Sequence, residues 1–164
     1  MGRKLLLLTL LVGLVGVSAA FAGDAPGDGT LSVKRGRGAI GIKFTGTVIG
    51  RLSGWIRVRD YRLSDDTVPQ LLGCRSKVRH PLAGIYYCRG RNVSFRILDG
   101  KYWVTMKGGG IYLSAVGYGS VTIDGAGDEG VNDGVMSVND EPYHSLPDVP
   151  ETFPLEAPPP QPGG

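Results

Sequence analysis

The chain has 164 residues, 18 Lys or Arg against 15 Asp or Glu, a net charge of +3, 27 glycines and two cysteines. That is one ordinary domain's worth of sequence, long enough to bury a core without structural metal or a dense disulfide framework. The near-neutral charge and single cysteine pair exclude a polybasic tail protein and a cysteine-rich miniprotein.

Arg3 and Lys4 precede an apolar run from Leu5 to Val17, and Ser18-Ala19-Ala20-Phe21-Ala22 closes with small residues at the minus-three and minus-one positions. This is the pattern of a secretory signal peptide over residues 1–22, cleaved after Ala22. The apolar run falls short of the roughly 20 residues a membrane span needs, and no later segment approaches that length. The expected product is secreted to the exterior or cell envelope, with no membrane span in its mature form. Cleavage leaves 142 residues and, with Arg3 and Lys4 gone, a net charge of +1. Residues 23–28 read as a short flexible N-terminus, and 29–141 as a single β domain.

Within that domain Leu31-Ser32-Val33-Lys34, Ala39-Ile40-Gly41-Ile42, Ser94-Phe95-Arg96-Ile97, Tyr102-Trp103-Val104-Thr105-Met106 and Ser120-Val121-Thr122-Ile123 alternate in polarity and favour β-branched or aromatic types. Half-buried strands read this way. Asp99-Gly100 is a hairpin signal, and Gly36-Arg37-Gly38 serves as a similar turn. Residues 36–60 also match residues 100–124 at an offset of 64, with a one-residue slip. Gly36 meets Gly100, Ile40 meets Val104 and Gly46 meets Gly110; after the slip, Gly54 meets Gly119. The expected fold is all-β: a β-sandwich or small β-barrel built from two pseudo-repeats of about four strands, near 32–60 and 94–124, with residues 61–90 inserted between them.

Cys74 and Cys88 survive processing, and in an exported chain they are expected to pair, closing a loop of about 15 residues. Eight of the eleven prolines stand at or after Pro142, so residues 142–164 read as a disordered Pro-rich tail.

Charge is strongly segregated. From Gly29 to Lys107 there are sixteen cations and four acids, and from Gly108 onward there are nine acids and no Lys or Arg. The densest basic stretch surrounds the cysteines: Arg75, Lys77, Arg79, Arg89 and Arg91, with Tyr86 among them. On an extended backbone the spacing of Arg75, Lys77 and Arg79 sends all three to one side. Guanidinium forks suit acidic groups and aromatic rings suit sugars, so these six residues are the candidate binding set for an anionic or carbohydrate envelope polymer. Export argues against a nucleic-acid partner. The premise is that the acidic second half leaves the basic stretch uncovered.

The loop Asp124–Gly134 offers oxygen ligands but lacks the spacing of a calcium-binding loop, and no metal or cofactor is expected. Asn92-Val93-Ser94 is a formal glycosylation sequon inside a strand. His80 and His144 stand far apart, Asp65-Asp66 would diverge, and no nucleophile elbow or phosphate loop occurs, so the expectation is a non-catalytic protein. A structural, self-assembling envelope protein is the alternative function, and an enzyme a more remote one. Oligomeric state is not encoded in any motif.

The stretch from Asp99-Gly100-Lys101-Tyr102 through Leu113-Ser114-Ala115-Val116-Gly117-Tyr118-Gly119 resembles a pattern in uncharacterised small secreted bacterial all-β proteins. The resemblance covers about residues 29–145. It implies a bacterial secreted β domain and brings no catalytic or binding residues with it.

Overall fold

The computed structural model describes residues 27–63, 67–126 and 134–157. The signal peptide, Asp65-Asp66, most of the acidic loop and residues 158–164 lie outside them. Two strands dominate: β1, Gly29–Asp60, and β4, Ile85–Gly125. Five short strands complete the fold: β2 (Gln70–Leu72), β3 (Ser76–His80), β5 (Val135–Val138), β6 (His144–Ser145) and β7 (Glu151–Leu155). Among the described residues no helix is long and apolar enough to cross a membrane.

The two long strands pair antiparallel, and β1 is paired along both of its edges. Ile40 lies between Met106 and Ile123, while Ile56 lies between Cys88 and Met106. Ile40 and Ile56 are therefore two strand spacings apart, about 9.5 Å, yet sixteen residues of extended chain between them measure roughly 53 Å. The chain must circle back on itself. The β1–β4 pair is thus a ribbon wound into a flattened coil, whose two walls face each other across the core.

One wall runs β3, β4 (85–89), β1 (55–59), β4 (103–107), β1 (39–43), β4 (119–123), β7. The other runs β2, β4 (94–96), β1 (49–51), β4 (112–114), β1 (31–33), β5, β6. The all-β expectation holds, and the architecture is a sandwich of two antiparallel walls, not a closed barrel. Alternation does the sorting. Ile40, Ile42, Ile56, Val58, Val104 and Met106 face inward from the first wall, and Leu31, Val33, Val48, Phe95, Ile97 and Leu113 from the second, all nearly inaccessible to solvent.

Corners between the walls fall on glycines. Gly125, Gly38, Gly108, Gly54 and Gly90 pair in one row, and Gly29, Gly117, Gly46 and Gly100 in the other. Both strands pass the same two rows, which is a sufficient reason for their similar glycine spacing. The corners superimpose at an offset of 62, Gly38 on Gly100 and Gly46 on Gly108, instead of the 64 taken from sequence. The expected short strands are segments of two continuous ones.

Two turn expectations are corrected. Asp99-Gly100 makes no hairpin: it lies inside β4, where the register moves from Gly46↔Gly100 to Val48↔Ile97. The extra β4 residue is absorbed as a bulge, with Asp99 at φ 32 donating its amide to the Thr47 hydroxyl at 3.1 Å. Gly36-Arg37-Gly38 likewise lies within β1, at a register shift beside Arg35, φ 55.

The tail is the larger correction. Residues 142–157 are part of the fold, because β7 pairs with Gly119–Ile123 and β6 with β5. Leu146 and Leu155 are both about 1% exposed, and the Gly125 amide donates to the Pro147 carbonyl at 2.7 Å. Prolines are tolerated there because β7 is an edge strand that needs hydrogen bonds on one side only. Leu146→Ala and Leu155→Ala should each cost about 2–5 kcal/mol, read as a lower urea midpoint. An unpacked tail would give no change.

Candidate functional site

Cys74 and Cys88 form a disulfide as expected, with Cα atoms 5.2 Å apart. The bridge fastens β3 to the start of β4, and His80 connects to Ile85 through a 3-10 turn at Pro81–Ala83. All five residues of β3 are exposed. Strand β3 therefore contributes almost nothing to the core and is held by pairing and the bridge. It is an overhanging, cationic edge.

The six candidate residues separate into three places. Antiparallel partners share a face, and Lys77 and Arg79 oppose Cys88 and Tyr86, both buried. Lys77 and Arg79 thus point toward the interior, but beyond the end of the core, where they meet water. Lys77 Nζ donates to the Leu71 carbonyl at 3.3 Å, reaching across the open end of the sandwich to β2. Arg79 stands 5.8 Å from the Tyr86 ring centroid. With Arg96 and Gln70 they line a groove of about 540 Å³.

Arg75, Arg89 and Arg91 gather around a second groove, of about 560 Å³, with Ser53 and Ser76. The Arg75 amide donates to the Arg89 carbonyl at 2.8 Å, just ahead of β3, so Arg75 does not continue the row of Lys77 and Arg79. Arg89 points outward beside Trp55, its β1 partner. The third place is the core: Tyr86 is only 5% exposed, so its ring has no face to offer a ligand. The alternation that turns Cys88 inward turns Tyr86 inward too.

Neither groove is lined by a carboxylate among the described residues. The acidic edge strand β7 lies at the far side of the same wall, six strand spacings from β3, or roughly 29 Å. Beyond a Debye length of about 8 Å at physiological salt, that acidity does little to neutralise the arginines.

Arg96 joins the cationic edge although sequence density did not select it. Trp55 and Trp103, on the outer face of the first wall, were also missed; each alternates with buried neighbours, Ile56 and Val104, which was the available signal. His80 lies on β3 and His144 on β6, and among the described residues no three His, Cys, Asp or Glu gather as a metal site would need. Asn92 of the sequon is exposed beside the buried Val93. Comparison of the chain with protein-family models, curated proteins and solved structures finds no match.

Proposed function

We propose that this protein is an exported, non-catalytic β module that binds an anionic polymer of the cell envelope, an acidic carbohydrate above all. The contacts are Arg75, Arg89 and Arg91 in one groove and Lys77, Arg79 and Arg96 in the other. The observation that carries the reading is the isolation of these cations: exposed, free of lining carboxylates, and six strands from the acidic edge. Planar guanidinium groups grip carboxylate or sulfate oxygens bidentately, and three around one groove can follow successive charges along a chain. Export rests on the signal-like N-terminus, and the disulfide is compatible with an oxidising compartment.

Binding to a soluble acidic polysaccharide, followed by affinity electrophoresis, tests this. The Arg75→Gln/Arg89→Gln/Arg91→Gln protein should bind at least tenfold more weakly, and raising salt from 50 to 500 mM should weaken the unmodified protein comparably. Equal retention of the two proteins rules the reading out.

A second reading is favoured by the opposite charge of the two ends of one wall: copies stacking head to tail, the basic β3 of one against the acidic β7 of the next. Sedimentation velocity should then show assembly at 20 mM salt that dissolves at 500 mM. A monomer at both salts removes it.

A further inference from the structure

We infer that the outer face of the first wall carries a second binding site, distinct from the cationic grooves, which takes the sugar rings of a neutral glycan. It is a cleft of about 630 Å³ crossing the strands at mid-wall. Its floor is the row Thr105, Gly41, Thr122 and Thr152, which are successive cross-strand partners. Trp55 stands on one side of that row and Trp103 on the other. They are four residues out of step on adjacent strands, which sets their Cα atoms roughly 14 Å apart.

Gly41 is the informative residue. It is not among the glycines with positive φ, so its backbone suits any residue. Nothing packs against it either: a Cβ built there meets only Thr105 Cγ2, at 4.0 Å. A glycine in mid-strand weakens a sheet, and where neither conformation nor packing demands one, close approach of a ligand is the remaining physical reason. Its effect is to lower the floor between the two indoles.

The walls of the cleft are braced. Trp55 packs on Tyr87 with centroids 6.3 Å apart and planes 28° from parallel, and Lys43 Nζ sits 5.0 Å from the Trp103 ring centroid. Each ring is thus held before any ligand arrives, which lowers the ordering cost of binding. Between them lie the Thr105 hydroxyl, the Thr122–Thr152 hydroxyl pair at 2.9 Å and the Asp124 carboxylate.

That combination selects its occupant. A pyranose has apolar faces to lie on indole and a rim of hydroxyls to exchange hydrogen bonds with threonines and a carboxylate. An apolar peptide would strand those polar groups without partners, which is costly. An acidic sugar placed here would face Asp124. A neutral sugar chain satisfies both walls and floor.

Trp55 and Trp103 are the only two tryptophans in the chain, so intrinsic tryptophan fluorescence reports on this cleft alone. Titration with neutral tetrasaccharides built on glucose, mannose, galactose or N-acetylglucosamine should give a saturable emission change with at least one series. In Gly41→Val, with a thermal transition like that of the unmodified protein, the affinity should fall at least tenfold. Trp103→Ala should show the same loss by calorimetry, which covers the case of a poorly folded Gly41→Val. The Arg75→Gln/Arg89→Gln/Arg91→Gln protein should keep the emission change, so failure of the polyanion reading and of this one are separable. No change with any of the four series overturns the proposal, and so does undiminished binding by both cleft variants.

Discussion

A Gly46→Ala protein is expected to lose about 3–5 kcal/mol of stability, enough to unfold a domain of ordinary stability near body temperature. Gly46 sits at a corner with φ 150, which residues bearing a Cβ rarely adopt. Conformational strain of this kind costs about 1–3 kcal/mol by itself. The added methyl would also overlap the Val116 carbonyl oxygen and come within 2.7 Å of Gly117 Cα, both backbone atoms with no rotamer to escape into. Gly46 is paired on both edges, with Gly100 and Gly117, so the strain cannot be relieved toward either side without parting a ladder. Urea unfolding followed by circular dichroism measures the loss. Gly41→Ala is the matched control: same substitution, same strand, ordinary φ and open space. It should change stability by no more than about 0.5 kcal/mol, with alanine the better strand former of the two. Equal losses at both positions would show that the corner geometry is not what Gly46 provides.

Removing the disulfide is the second large effect. Cys74→Ser/Cys88→Ser deletes a cross-link closing a loop of about 15 residues, worth ~3 kcal/mol in the chain-entropy account. The damage should be uneven. With every β3 residue exposed, little besides backbone pairing then holds that strand, so amides of residues 76–80 should exchange far faster while those of residues 103–107 stay protected. Polymer binding should weaken with it, because Arg75 would leave the groove it shares with Arg89 and Arg91. Hydrogen exchange by mass spectrometry separates this from global unfolding. Uniform loss of protection would contradict an edge strand held mainly by its bridge.

Inside and outside were readable wherever alternation was regular, as along residues 102–106 and 120–123, and so was the pairing of two cysteines in a chain bearing a secretion signal. The turns were misread for a physical reason. Asp-Gly offers positive φ to a hairpin and to a corner bulge alike, and only the partner strand, here Thr47 against Asp99, decides between them. Proline density misled at the C-terminus, since composition registers Pro147, Pro150 and Pro154 but not the burial of Leu146 and Leu155 between them. At the site, Tyr86 could have been struck from the binding set by counting two residues back from Cys88. The cleft could not have been assembled that way. Trp55 and Trp103 are 48 residues apart, and only the register that sets Trp55 opposite Lys107 and Trp103 opposite Arg59 brings them to one face.

The wound ribbon also dictates an order of events during folding. The β1–β4 pairs span from 26 residues, Arg59 to Ile85, up to 88, Gly29 to Gly117. None can form until the ribosome has passed Ile85, and the innermost turn waits for Gly125. A topology so dependent on distant partners belongs with slow folders, in the millisecond-to-second range. For that interval Gly29–Asp60 is an apolar, strand-forming segment without a mate, so the stage most exposed to aggregation comes before β4 is complete.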